Sequence, residues 1–247
     1  MDSGIPLRYG QIVDETNRPP RSEPETPMPL TLYGCYRSRA TRNVWLANEL
    51  GISFTHVPVI QAYRLSDPQA ADAPVHTRSA DFLAVNPNGH IPSIDDDGFV
   101  LHESLAINLY LARKHGGPVA PKDVQEEGLA AMWALWAATE CETHALNLTY
   151  HLAAYPPEKR DPALVSAALE ALAIPFSVLD KALAEGGGYV MGGRFTVTDI
   201  NVGEVIRYAK PATQLFEAAP NVKAWLDRLH QRPAFKAMWA AREAEPA

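Results

Sequence analysis

The chain has 247 residues, 47% hydrophobic and 21% charged, enough to bury a core in one large domain or two small ones. Its 22 Lys and Arg stand against 29 Asp and Glu, a net charge of -7 that lacks the cationic surplus of a nucleic-acid binder; its longest uninterrupted apolar run, 129–138, is about half of the ~20 residues a bilayer span needs. The two cysteines, Cys35 and Cys141, can build neither a disulfide framework nor a four-cysteine zinc site, which fits a reducing cytoplasm.

Residues 1–29 carry Pro6, Pro19, Pro20, Pro24, Pro27 and Pro29 among polar neighbours, a composition expected to form a tail, and Met28 directly precedes the first strand-like run. From Leu30 the pattern predicts a strand over 30–33, a helix over 41–50 stopped by Gly51, and a second strand over 52–59. A loop rich in Pro, Asp and Ala follows. Short strands are expected at 91–94 and 99–101 around the turn Asp95-Asp96-Asp97-Gly98, then a helix over 106–114. Gly116-Gly117-Pro118 opens a linker, 116–125. The remainder, 126–247, reads as an all-α domain, with Leu129, Met132, Trp133 and Trp136 at helical spacing and no strand-like alternation. The expected architecture is therefore α+β, an open sheet with helices over 30–115 and a helical bundle behind it.

Asn86-Pro87-Asn88-Gly89-His90-Ile91-Pro92, an acidic turn, and Glu103-Ser104 with Ala106-Ile107 together resemble the signature of the cytosolic glutathione transferases. The resemblance covers nearly all of 30–240. It implies a thioredoxin-like domain that binds glutathione as co-substrate, a helical second domain against which a small hydrophobic electrophile lodges, and a homodimer, with neither metal nor membrane nor nucleic acid involved. In this family the residue before a cis proline pairs its backbone with the cysteine of glutathione. Here that residue is Ile91 and the proline is Pro92. Glu103 and Ser104 stand where a helix begins, so backbone N–H groups, the helix dipole and the Ser104 hydroxyl converge on an anion, implied to be the γ-glutamyl carboxylate, with Glu103 meeting the ammonium. Taken alone, Ser104 reads as a helix cap and Glu103 as a solvated acid. For the glycine carboxylate the resemblance points to Arg78 and His90, although the long loop 61–77 leaves Arg78 open to an ordinary solvated role.

The reactive group is expected at the first helix start. Ser38-Arg39-Ala40-Thr41-Arg42 resembles the S-x-A-T-R segment of serine-type transferases, the phi and theta classes. A thiol with pKa near ~8.5 is only a few per cent thiolate at neutral pH, and lowering it by two units takes ~2.7 kcal/mol, within reach of one hydroxyl hydrogen bond and a helix N-terminus. Ser38 is the expected donor, and it can cap the helix as well. Two rivals lie close by. Cys35-Tyr36-Arg37-Ser38 has the Cys-x-x-Ser spacing of monothiol redox proteins, without the usual Cys-Pro, and would make a glutathione-dependent disulfide reductase. Tyr33 stands where tyrosine-type members end their first strand. A non-enzymatic binding module is the remaining alternative.

In the helical part, Thr196-Val197-Thr198-Asp199 between Phe195 and Ile200 is a capping box with its apolar staple, so Asp199 is expected to be structural. The face of Trp133 and Trp136 continues through Glu140, His144 and Asn147 and could line the electrophile pocket or a dimer interface; Tyr36, Tyr150 and Tyr208 are further pocket candidates, and His144 has no partner at metal-ligand spacing.

Overall fold

The computed structural model describes residues 30–246. The expected tail, 1–29, lies outside the described residues. The described chain divides into two compact units, one of residues 30–41 and 52–107, the other of 42–51 and 108–246.

The first unit is built on a four-stranded sheet of β1 (Thr31–Gly34), β2 (Thr55–Pro58), β3 (Ser93–Asp96) and β4 (Phe99–His102), in the order β2-β1-β3-β4. β1 and β2 run parallel, and the crossover between them is the helix α1 (Ala40–Leu50), as a parallel pair requires. β3 lies antiparallel to both β1 and β4, with Leu32 opposite Ile94, each buried. The β3–β4 turn places Asp97 and Gly98 at positive φ, 55° and 84°, the two-residue geometry that twists with its strands, and the Asp95 carboxylate accepts from the Gly98 N–H at 2.8 Å. The strand expected at 91–94 starts only at Ser93, because Pro92 has no N–H to give to a ladder. Within the loop before it, a helix that the composition concealed, α2 (Ala80–Val85), buries Phe82. α3 (Ser104–His115) follows β4.

In the second unit, α4 (Val124–Trp136) starts from Asp123, whose carboxylate accepts from the Gln125 and Glu126 N–H groups, both at 2.9 Å. The helix passes through a π-turn, Ala137–Glu142, into α5 (Thr143–Thr149) and a second π-turn, Tyr150–Ala154. α6 (Pro162–Glu185) is capped by Asp161 and buries a stripe of Ala168, Leu172, Phe176, Leu179 and Leu183 against α5 and the helix α9 (Pro220–His230). With a mean hydropathy of 1.8 over an 18-residue window, α6 is long and apolar enough to cross a bilayer. Counting uninterrupted apolar runs misses it, because Ser166, Glu170 and Ser177 break the runs without making the helix polar.

α7 (Val197–Ile206) is buried along its whole length. Its box is as expected: the Thr196 hydroxyl accepts from the Thr198 N–H, and Asp199 accepts from the N–H groups of Thr196 and Val190 and from the Trp225 indole at 2.9 Å. The Thr196 hydroxyl also donates to Asp199, at 3.2 Å, and burial raises the Asp199 pKa against these four donations. α8 (Thr213–Ala218), α9 and α10 (Pro233–Ala244) complete the unit. Trp45 of α1, fully buried, meets Phe235 of α10 edge-on at 5.0 Å, and Glu49 forms a bidentate pair with Arg232 at 2.6 and 2.8 Å.

His230 ends α9 stacked on Phe235 at 4.3 Å, and burial, with Lys210 beside its Nδ1, holds its pKa down to about 4. Glu204 and Asp227 oppose that shift and Arg207 adds to it. The unfolded chain takes up this proton near 6.5, so the contribution is fully present above pH 6.5 and is lost as the pH falls toward and through 4. His230→Gln should flatten the pH dependence of the unfolding free energy between those values by about 1–2 kcal/mol, measured by urea titration at a series of pH values.

Candidate functional site

Three pieces of the first unit meet around the end of β1. A Cβ added to Gly34 would lie 3.1 Å from the Ala40 Cβ and 3.7 Å from both the Ile91 Cβ and the Pro92 Cα. The start of α1 and the Ile91-Pro92 turn therefore pack against the same strand end, where a Cβ on Gly34 would crowd Ala40. Between Gly34 and Ala40 lies Ser38, half-buried. Its hydroxyl donates to the Cys35 carbonyl at 2.6 Å and accepts from the Ala40 N–H at 3.1 Å, while its carbonyl accepts from the Thr41 N–H and hydroxyl. Ser38 thus caps α1. Turning the O–H away from Cys35 leaves the accepted bond intact and the oxygen in place, so the proton can be given to a ligand without moving the backbone.

The Asn86-Pro87-Asn88-Gly89 turn exists to shape the next residues. Asn86, buried, donates from Nδ2 to the His90 carbonyl at 2.7 Å and to the Ser93 hydroxyl at 3.2 Å, and its Oδ1 accepts from the Asn88 N–H. Gly89 sits at φ 62° with its Cα facing the Thr77 carbonyl, which a Cβ would approach to 2.6 Å. The Ile91-Pro92 peptide that follows is cis. Among the described residues, neither the amide nor the carbonyl of Ile91 is hydrogen-bonded to the chain, so its backbone can pair with an extended peptide.

At the far end of β4, Glu103 is exposed and holds φ 67°, a left-handed conformation uncommon outside glycine, and its carbonyl accepts the first helical bond of α3 from Ile107 at 2.9 Å. Ser104, buried, is the first residue of α3. The side chain of Glu103 thus stands out from a helix start, an acid next to a positive dipole end. Neighbouring His102 has its pKa lowered by burial, with Glu103 pulling the other way.

Cys35 is buried, 2% exposed, and donates to the Gln61 Oε1 at 3.4 Å, with Arg64 Nη1 at 3.8 Å from its sulfur. Gln61 and Arg64 belong to the long loop 61–77, and nothing local in the sequence marks them. Tyr33 packs near Phe82, and burial, then the charge of Asp95, raises its phenol pKa, the wrong direction for a group that is to share its proton with a thiolate. Arg78 and His90 are both exposed, and the Arg78 N–H donates to the His76 ring. Of the second unit's candidates, Trp133 and Trp136 meet edge-on at 4.9 Å, Glu140 is exposed, His144 and Asn147 are half-buried, Tyr150 stacks on Tyr155, and Tyr208 lies under the Arg207 guanidinium. Tyr36, in the first unit, rests on His56 at 4.8 Å. Among the described residues no cluster of three His, Cys, Asp or Glu side chains could hold a metal ion. Gly89→Ala should lower the unfolding free energy by about 1–3 kcal/mol through the Thr77 clash and the positive φ, read by denaturant titration.

Residues 32–119 match the family model of the glutathione S-transferase N-terminal domain, and 143–233 that of its C-terminal domain. Glutathione S-transferase 3 of Zea mays is 33% identical over 227 residues, 86% of this chain and 94% of that protein. Among solved structures, the theta class glutathione S-transferase of Xanthomonas axonopodis pv. citri with glutathione bound superposes with a TM-score of 0.69 at 29% identity, covering 86% of this chain and 97% of that one. The maize glutathione S-transferase I in complex with an atrazine glutathione conjugate gives 0.73 at 25% identity, covering 88% and 100%. With both domain models matched in order and a relative aligned nearly end to end, this chain belongs to the glutathione S-transferase family.

Proposed function

We propose that this protein is a glutathione transferase of serine type, which binds reduced glutathione on its first unit and holds the thiol ionised for attack on a small hydrophobic electrophile. The observation that carries this reading is the packing of the Ser38 segment and the Ile91-Pro92 turn against the one strand end at Gly34, with the Ile91 backbone open to pairing. Glutathione lies along that edge with its cysteine backbone on Ile91, its γ-glutamyl carboxylate at Ser104 and the start of α3, and its ammonium at Glu103. Arg78 and His90, both exposed, meet the glycine carboxylate. The Ser38 hydroxyl turns from the Cys35 carbonyl to the bound sulfur and stabilises its anion, helped by the dipole of α1. The thiol proton leaves to solvent, the sulfur forms a bond to the electrophilic carbon, and the leaving group departs with its electron pair.

The working form is a homodimer in the cytosol. α4 presents Val124, Leu129, Met132 and Leu135 at 46–77% exposure and α6 presents Ile174 and Val178 at 75% and 46%, an apolar area that a second copy would cover. Light scattering should therefore give about twice the 27.0 kDa of the chain, and a monomer mass would refute the pairing.

Calorimetry with reduced glutathione tests the binding; no heat at millimolar ligand would end the proposal. Ser38→Ala should leave glutathione affinity nearly unchanged, raise the pKa of the bound thiol, and cut conjugation of an activated aryl halide ten-fold or more, about 1.4 kcal/mol. The lost helix cap lowers stability by about 1 kcal/mol besides. Cys35→Ser should do little to conjugation. Should Cys35→Ser instead abolish glutathione-dependent reduction of a mixed disulfide while Ser38→Ala is tolerated, the protein is a reductase and the attacking sulfur is its own.

A further inference from the structure

The two ends of the proposed glutathione site belong to two different helices. The thiol is met just ahead of α1, whose first residue is Ala40, and the γ-glutamyl group at the first residue of α3, Ser104. A tripeptide that must reach both demands a fixed separation between those helix starts. Packing of apolar side chains would hold the helices together without fixing how far one slides along the other, since such contacts are not directional.

One buried amide supplies the direction. Asn108, the fifth residue of α3, is fully buried. Its Oδ1 accepts from the Asn43 Nδ2 at 2.7 Å, its Nδ2 donates to the Arg42 carbonyl at 3.2 Å, and the same nitrogen donates to the Asn201 Oδ1 of α7 at 2.8 Å. Both donors and the acceptor of the amide are thereby engaged. Arg42 and Asn43 are the third and fourth residues of α1, so at ~1.5 Å of rise per residue the contact lies within ~6 Å of either helix start, and a slip there is passed to the starts undiminished. The Arg42 guanidinium, 1% exposed, is itself pinned by Glu142 at 2.8 Å.

We propose that Asn108 is a positioning residue for thiol activation: its side-chain amide locks α1 in register with α3, so that glutathione anchored at Glu103 and Ser104 presents its sulfur to the Ser38 hydroxyl. This role rests on the glutathione reading above. A single buried asparagine that fixes the register of two helices is the best-attested use of a polar group in an apolar interface. A role confined to core stability would treat the two sides of the amide alike; the positioning role does not, because the bond to Asn201 touches no helix that begins at the site.

The experiment compares Asn108→Leu with Asn201→Leu in the full chain, measuring for each the melting temperature, the KM for glutathione, and the pKa of the bound thiol from thiolate absorbance against pH. Both variants should melt lower than the parent. Asn108→Leu should raise the glutathione KM several-fold and the bound-thiol pKa by about one unit, while Asn201→Leu leaves both at the parent values. Equal changes in the two variants, or an unchanged thiol pKa in Asn108→Leu, would overturn the proposal. If Asn108→Leu does not fold, Asn43→Ala, which removes only the bond from α1 to the Asn108 oxygen, must raise the thiol pKa in its place, and its failure to do so would overturn the proposal equally. Absence of a thiolate signal in the parent would instead bring down the glutathione reading itself, whereas a normal parent signal with no response in the variants brings down only the role of Asn108.

Discussion

The first turn of an α-helix leaves backbone N–H groups without partners inside the helix and concentrates the positive end of its dipole there. This chain places two such starts, at Ala40 and Ser104, beside one small sheet, and the site follows from what each start requires. At α1 the requirement is a cap, and Ser38 meets it with an oxygen that keeps one bond from Ala40 while its proton can be redirected. At α3 the chain turns through a left-handed Glu103 that leaves an acid standing at the helix entrance. A hydroxyl that caps and a thiol that needs a donor are served by the same atom, which is why the capping role and the proposed catalytic role of Ser38 do not compete.

The loop that presents Ile91 is held from behind. Asn86 binds the His90 carbonyl and the Ser93 hydroxyl on either side of the Ile91-Pro92 step, and Gly89 lets the turn close on the Thr77 carbonyl. With its flanks fixed, the Ile91 backbone keeps its amide and carbonyl unpaired within the chain, a preorganised surface that spares a ligand the ordering entropy of shaping it.

The second unit contains charges that an apolar core would ordinarily exclude. Arg42 pairs with Glu142, and Arg207, 9% exposed, pairs with the fully buried Glu204 while lying over Tyr208 and Trp239. Removing one member of such a pair costs about 3–5 kcal/mol, because the survivor is a buried, uncompensated charge, yet the pair as a whole adds little over apolar packing. What the pairs contribute is direction, and the π-turn at Ala137–Glu142 is where the long helix departs from ideal geometry as it delivers Glu142 to Arg42.

Short-range signals made much of this legible in the sequence. Asp97-Gly98 dictates its turn, Thr196 and Asp199 their capping box, and Asn86 holds the His90 carbonyl and the Ser93 hydroxyl within seven positions of itself. Composition hid the rest. α2 is only six residues long inside a loop that reads as irregular, the apolar character of α6 is dispersed among polar residues, and the Cys35 thiol donates to Gln61, 26 positions away. Propensity, periodicity and turn chemistry act over a few residues, and they sufficed for the sheet-and-helix unit, the helical unit, the helix starts beside Ser38 and Ser104 and the caps at Ser38 and Thr196, while they put Ile91 in a strand that begins only at Ser93. That Gly34 brings Ala40 to Ile91, that Glu142 answers Arg42 across 100 positions, and that Asn108 joins α1, α3 and α7 emerges only in the folded chain. Each of these is a hydrogen bond or a close approach between residues far apart in the chain, whose geometry exists only once the core has packed.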